Sequence, residues 1–482
     1  MTETYLALSY VWGTDSPSRE IQIDGQCFKI RRNLHEFLRR AIDEWPDKYF
    51  WIDAICINQN DLDEKSRLVR KMDDVYRNAD TVVAWLGWKN DNMSSLFRFV
   101  NKMKGLAPAY HSADDLSSFP SMQTLSEKGG RPGTIPEKVK LNLYKHCLAE
   151  FDNLDYWSRL WILPEMLLAR KSVLMYGSIL SEIDHLRHQV EYILHRRWAG
   201  TRDLTFLKIC QSLEKTKRQS QTENIDFYLL LLNHGGMRCE DVRDKIFALL
   251  SISNSKANFK HLVNYCSSKH DLLIEILSQY NQRDATGIFQ FELGAEVYQR
   301  LQLSSKDVSR LIFNEETPAN LDIRLECEQH QCWQELQAQN VLTQSFRQTS
   351  SSLGWKDVQQ FQSNKSWLFR FSRHMDRYLV VQQTSNANIY SLLGFLATES
   401  DFHNETVTPK RITLLNESIE LQLEERQSNV VAPCKHCVKL TLIYRPTSYL
   451  SLFDLFESYL DIKPQLKYDM RPQAIRPKTK AK

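Results

Sequence analysis

The chain lacks any apolar run close to the ~20 residues that a membrane-crossing helix needs. Its longest candidates, residues 227–232 and 246–250, are far too short. The opening MTETYLALSYVWG has no basic stretch ahead of an apolar core, so a secretory signal is not expected. Ten cysteines are scattered over 482 residues without framework spacing, which argues for free thiols in a reducing compartment. An excess of one charge is also missing. A formal net charge of +3 gives no support to a whole-chain role on nucleic acid or a membrane surface. No P-loop glycine pattern, no G-x-S-x-G elbow and no long internal repeat occurs. These absences point to a protein of the cytoplasm. The basic end at residues 471–482 keeps the nucleus as the alternative, against the plainer reading of a solvated tail.

What is present reads as an α/β protein. Hydrophobic residues make up 42% and charged residues 25%, an ordinary globular balance, and the length suits two or three domains. Residues 5–11 form a β-prone run that stops at Trp12-Gly13. Residues 20–30 alternate around Asp24-Gly25, a hairpin signal. Residues 33–44 carry Leu34, Phe37, Leu38 and Ala41 at helical spacing. Residues 49–57 are apolar on both faces, as in a buried parallel strand. A helix follows, capped by Asp61 or Asp63, with Leu68, Met72, Val75, Tyr76 and Ala79 on one face. Residues 81–86 then form a strand, and the strand–helix–strand order predicts a right-handed parallel unit. A loop is expected at 112–138, a helix at 138–151 and a strand at 172–176.

The resulting organisation is an N-terminal, mostly parallel sheet flanked by helices over residues 1–180 and a helical region over 181–285. A smaller α+β part of unassigned role follows over 286–465, then a basic tail over 466–482. In the third part, residues 419–423 and 438–444 read as antiparallel strands and 449–461 as an amphipathic helix. Residues 334–363 are rich in Gln and Ser.

Three motifs set polar residues at the ends of apolar runs, where open α/β sheets bind ligands. In the first, Gly13 permits a sharp turn and Trp12 offers a flat face; a core Trp with a turn glycine is the plainer reading. In the second, Asp53 sits inside an apolar strand. It therefore needs an arginine or backbone amides as partner, and is read as a structural residue. Asn58, Gln59 and Asp61 follow at the strand's carboxyl end, either lining a site or making the turn and capping the next helix. Cys56 reads as a small buried hydrophobe. In the third, Trp161 and Glu165 are four apart and would share a helix face. Pro164 suits a first helical turn, which would set Glu165 near the positive end of the helix. The alternative is a carboxylate beside an indole in a cleft, able to stabilise an oxocarbenium-like sugar cation.

Cys327, His330 and Cys332 form one soft-ligand cluster and Cys434, His436 and Cys437 another. Together they could hold tetrahedral zinc. The roughly 100-residue gap between them is not a finger spacing, so free thiols in loops compete with that reading.

Taken in order, residues 7–13 (ALSYVWG), 51–61 (WIDAICINQND) and 158–165 (SRLWILPE) resemble the heterokaryon-incompatibility (HET) domain of filamentous fungi. That family triggers programmed cell death when genetically different cells fuse. Residues 238–250 resemble the D-P-R-D-K-hydrophobic-A-L-L segment that follows the domain in family members, with Val242 in place of the proline. A weaker similarity is to Toll/interleukin-1 receptor (TIR) domains, with which HET domains have been compared. Residues 158–166 look like the TIR S-x-W-C-x-x-E-L segment, and residues 7–15 look like its opening. The sequence departs from these patterns twice. It has Val11-Trp12 where TIR domains carry an arginine near the glycine, and Pro164 where HET domains more often have glutamine.

These resemblances imply a TIR/flavodoxin-like sheet and NAD as a substrate, with no cofactor required. Glu165 would be catalytic, with Trp12, Gly13, Asn58, Gln59, Asp61 and Trp161 binding the substrate, while Asp53, Arg159 and Asp244 hold the structure. They also imply self-association and another incompatibility protein as partners. The competing reading is a non-enzymatic signalling or oligomerisation module in which the same motifs are structural.

Overall fold

A computed structural model describes residues 4–87, 91–102, 146–197, 204–222, 227–253, 259–281, 290–304, 323–330, 366–371, 377–386, 388–398, 409–427, 437–446 and 448–462. The expected loop at 112–138, the start of the helix expected at 138–151, the Gln/Ser-rich stretch and the basic tail lie outside these residues. The chain divides into two compact units, Met1–Cys266 and Ser267–Lys467.

The first unit is built on a five-stranded sheet. Its strands are β1 (Tyr5–Tyr10), β4 (Tyr49–Trp51), β5 (Thr81–Trp85), β6 (Ser172–Tyr176) and β7 (Ile179–Glu182), in the order β4-β1-β5-β6-β7. All neighbours are parallel except β6 and β7. The hairpin expected at 20–30 forms as β2 (Arg19–Ile23) and β3 (Gln26–Ile30), a separate two-stranded sheet. Asp24 and Gly25 both take positive φ at its turn, as a tight right-twisted hairpin requires.

Helix α1 (Arg32–Glu44) buries Leu34, Phe37 and Ala41. They join Leu6, Leu8, Tyr10, Val83 and Trp85 of the sheet in one core. Phe37 meets Phe50 edge-on at 5.4 Å and Trp85 at 5.8 Å.

The stretch 49–57 departs from expectation. The strand covers only Tyr49–Trp51, and Asp53–Cys56 is a short helix, α2. The residues are apolar on both sides because β4 is an edge strand and the turn after it is half-buried, not because a central strand continues. Cys56 is exposed, correcting its reading as a buried hydrophobe. The single helix expected next is two, α3 (Leu62–Val69) and α4 (Met72–Asn78). The break comes where the Lys71 amide bonds the Leu68 carbonyl, three residues back, and the Arg70 guanidinium leaves to donate to the Val263 carbonyl at 2.9 Å.

After α5 (Asp91–Lys102) comes a helix at residues 146–152. A 3-10 turn follows at Asp155–Ser158, and then the short helix α6 (Ile162–Leu167). The unit is completed by α7 (Ile183–Arg197), α8 (Thr205–Thr222), α9 (Phe227–His234) and α10 (Asp244–Leu250), in line with the helical pattern of that region.

The second unit holds a closed antiparallel barrel that the sequence reading did not foresee. Its strands are β8 (Ile323–His330), β9 (Ser366–Phe371), β10 (Arg377–Gln383), β11 (Ile389–Thr398), β12 (Pro409–Gln427) and β13 (Cys437–Tyr444). The expected pair at 419–423 and 438–444 is the β12–β13 contact. Helices α11 (Lys269–Asn281), α12 (Gln290–Arg300) and α13 (Tyr449–Ile462) pack with it. Phe291 stacks on Phe395 there at 6.0 Å, and Tyr459 meets the two rings edge-on at 5.2 and 5.6 Å. Among the described residues no helix is long and apolar enough to cross a membrane.

Candidate functional site

At the carboxyl ends of β1 and β4 the first unit opens into a cleft of about 1780 Å³. This is the end of a parallel sheet at which ligands collect. The loop after β1 contributes Trp12 and Gly13. The turn after β4 contributes Asp53, Asn58 and Gln59, and the start of α6 contributes Arg159, Trp161 and Glu165.

Glu165 lies in the first turn of α6 and is 1% exposed. Its amide bonds the Trp161 carbonyl at 3.2 Å, so Pro164 sits within the helix start without disrupting it. The Ser9 hydroxyl, near the carboxyl end of β1, donates to Glu165 Oε2 and shares a 2.7 Å hydrogen bond with the Tyr156 hydroxyl. Arg159 Nη2 stands 3.7 Å from Glu165 Oε1. Burial raises the Glu165 pKa, and Arg159 and the Ser9 hydrogen bond oppose that rise without cancelling it.

Asp53 is the first residue of α2, not a mid-strand carboxylate. Its Oδ1 accepts from the Ala54 amide at 2.7 Å and its Oδ2 from the Trp12 indole at 3.0 Å. The expected partner is thus an indole and a backbone amide, with Arg159 acting at longer range. Burial raises the Asp53 pKa against the pull of Arg159. For Arg159 the balance reverses: burial disfavours its charge, but Glu165 and Asp53 outweigh it and hold the guanidinium above its ordinary value.

Arg159 is positioned by backbone. It pairs in parallel with Arg238, the Leu160 amide bonding the Arg238 carbonyl at 2.8 Å and the Arg238 amide bonding the Ser158 carbonyl at 2.7 Å. This staple brings residues 238–244 to the cleft. Asp244, 6% exposed, accepts from the Tyr265 hydroxyl at 2.5 Å and from the Trp161 indole. Burial lifts its pKa to about 6, against these two donors.

Most of the expected residues therefore converge. Trp12, Gly13, Asn58, Gln59, Trp161 and Glu165 line the cleft, and so do Asp53, Arg159 and Asp244. Asp61 does not line it: its carboxylate caps α3, accepting from the Asp63 and Glu64 amides at 3.1 and 3.0 Å. Besides Ser9, which engages Glu165, and Tyr156, which engages Ser9, two more residues were not anticipated. Arg31 donates to the Gly13 carbonyl at 2.5 Å, with its guanidinium 5.5 Å from the centre of the Trp12 ring. Tyr265 holds Asp244. Neither follows from spacing, because each arrives from a distant part of the chain.

Of the second set of candidates, His330 and Cys437 are register partners across β8 and β13, and Cys327 is opposite Leu440. Cys332, Cys434 and His436 lie outside the described residues. Among the described residues, no three His, Cys, Asp or Glu side chains group as a metal would require.

Residues 5–165 match the heterokaryon incompatibility protein (HET) family. The match lies within the first unit and runs from β1 into α6. It is similar to heterokaryon incompatibility protein 6, OR allele, of Neurospora crassa, at 30% identity over 209 residues. That match covers 36% of this chain and only 29% of the length of the Neurospora protein. No solved structure matches the chain.

Proposed function

We propose that this protein acts in fungal non-self recognition and programmed cell death, and that its HET domain does so by cleaving NAD. The observation that carries the proposal is the position of Glu165: a carboxylate at the floor of a large cleft, at the carboxyl ends of parallel strands, with Trp12 and Trp161 in the same walls. Its chemistry would be that of a glycosidic bond breaking through an oxocarbenium-like state. The bond from ribose C1′ to the nicotinamide nitrogen breaks, and its electron pair leaves with the nicotinamide. The Glu165 carboxylate stabilises the cation that remains. Water then adds to C1′ and releases a proton. The resemblance of residues 7–15 and 158–166 to TIR segments supports this reading, as does the similarity to the Neurospora heterokaryon incompatibility protein. The same reading puts the protein in the cytoplasm, with self-association and a second incompatibility protein as partners.

A second reading is favoured by a specific observation. Glu165 is almost fully buried and already engaged by Ser9 and Arg159. In a non-enzymatic signalling module those contacts would hold the fold, and no turnover would occur. The deciding experiment measures NAD loss and nicotinamide release by the purified full chain over a wide protein concentration range. Turnover that disappears in a folded Glu165→Gln variant supports the enzyme. A wild-type protein that never consumes NAD supports the module.

A further inference from the structure

Of the side chains lining the cleft, one carries a buried polar atom that has no partner among the described residues: Nη1 of Arg159. A guanidinium N–H removed from water without an acceptor costs about 1–3 kcal/mol or more. Such an atom is the exception in folded proteins and calls for a reason. The Arg159 side chain lines a cavity large enough for a dinucleotide, so a small shift of the guanidinium toward that space would let a ligand atom supply the missing acceptor.

The surroundings specify which acceptor. Glu165 faces the same guanidinium from α6 at 3.7 Å, and Asp53 acts on it from α2. Fully ionised, the three side chains sum to one negative charge. A phosphate or carboxylate brought to Nη1 would enter beside two carboxylates, Asp53 and Glu165, with Lys65 a further cation that acts on Asp53. A neutral carbonyl oxygen meets no such repulsion. A positively charged ring attached to that carbonyl would be drawn toward the same excess charge.

We infer that Arg159 Nη1 binds an uncharged carbonyl oxygen of the ligand, so that the cleft selects an aryl carboxamide over the matching carboxylate. The inference rests on the dinucleotide reading above and goes further by assigning one end of that ligand. Arg159 thereby becomes a binding and positioning residue as well as a structural one.

The test compares ligands that differ at one group. Isothermal titration of the full chain with NAD, its nicotinic acid counterpart and ADP-ribose reports the selectivity directly. NAD should bind at least tenfold more tightly than the nicotinic acid form. Arg159→Lys and Arg159→Gln should bring the two within about threefold while leaving ADP-ribose affinity unchanged. Equal binding of the two dinucleotides, or tighter binding of the carboxylate, overturns the inference and leaves the dinucleotide reading standing. If none of the three ligands binds, both fall. Should the variants fail to fold, the wild-type comparison still decides, because it needs no substitution.

Discussion

Arg159 and Glu165 are six residues apart in the chain, and Nη2 of the first stands 3.7 Å from Oε1 of the second on the floor of the cleft. The backbone makes this contact by changing conformation three times in eight residues. A 3-10 turn ends at Ser158, Arg159 is extended at ψ 133°, and α6 begins at Ile162. Leu160 and Ser158 are fixed to Arg238 on either side. The pair is therefore held by local geometry, and removing one member leaves the other without its closest opposite charge.

That asymmetry sets a prediction for stability. Breaking a buried pair by deleting one partner costs about 3–5 kcal/mol, because a desolvated charge is left uncompensated. Glu165→Ala should approach the lower figure, since Asp53 still faces Arg159. Combining Glu165→Ala with Arg159→Met should cost less than the sum of the two single changes by at least ~1 kcal/mol. Urea unfolding followed by tryptophan fluorescence measures all three variants. Strict additivity would show that the two side chains do not share an interaction.

Asp244 gives a pH dependence with a definite sign. Its folded pKa is about 6 against the ordinary 3.8, so the folded state holds this proton more tightly than the unfolded chain does. Its contribution is therefore fully present below about pH 4 and is lost as pH rises through 6. The loss above that pH is about 3 kcal/mol at most. Asp244→Asn keeps an oxygen to accept from Tyr265 but cannot ionise. Relative to wild type, the variant should be more stable at pH 7.5 than at pH 4.5. Thermal midpoints at the two pH values check this, and an unchanged difference between them would rule it out.

Much of the first unit was legible because its signals are local. The hairpin turn at Asp24-Gly25, the face of α1 and the strand at residues 172–176 each depend on neighbours within a few residues. The convergence of Trp12, Asp53, Trp161 and Glu165 on one cleft follows from a simple rule about parallel strand ends. What could not be read was the partner of each group. Nothing near Asp53 announces the Trp12 indole, and nothing near Asp244 announces Tyr265, 21 residues on. The extent of β4 was misjudged because an apolar run at a sheet edge looks like one at its centre. The barrel was missed because its closure depends on pairings such as β8 with β13, more than 100 residues apart.

Two glycines separate strain from space. Gly13 has φ +86° and Gly25 φ +78°, so an L side chain is disfavoured at both by about 1–2 kcal/mol. A Cβ on Gly25 would meet nothing within 4 Å, whereas one on Gly13 would sit 2.8 Å from Asp15 Oδ1. Asp15 in turn accepts from the Arg32 amide at the start of α1. Gly25→Ala should therefore carry only the turn strain. Gly13→Ala should cost more and also disturb Arg31 and Trp12 at the cleft mouth. Denaturation midpoints combined with fluorescence quenching of Trp12 by acrylamide distinguish the two; equal effects would mean that the contact with Asp15 yields freely.

In the second unit, Gly294 marks a close approach within the core. A Cβ added there would lie 2.7 Å from Phe456 Cζ and 2.8 Å from Leu277 Cδ2. Both neighbours are fully buried, and Phe456 is packed against Phe291 at 5.5 Å, so neither side chain can swing into solvent. Overpacking of this kind costs about 1–3 kcal/mol. Gly294→Ala should lower the unfolding midpoint accordingly. Trimming the ring by Phe456→Leu creates room on one side, so adding Gly294→Ala to that variant should cost less than adding it to wild type. Differential scanning calorimetry of the four proteins completes the cycle. If alanine costs the same with and without the Phe456 ring, the ring is not what confines position 294, and helix propensity alone, which favours alanine over glycine, should then leave Gly294→Ala close to neutral.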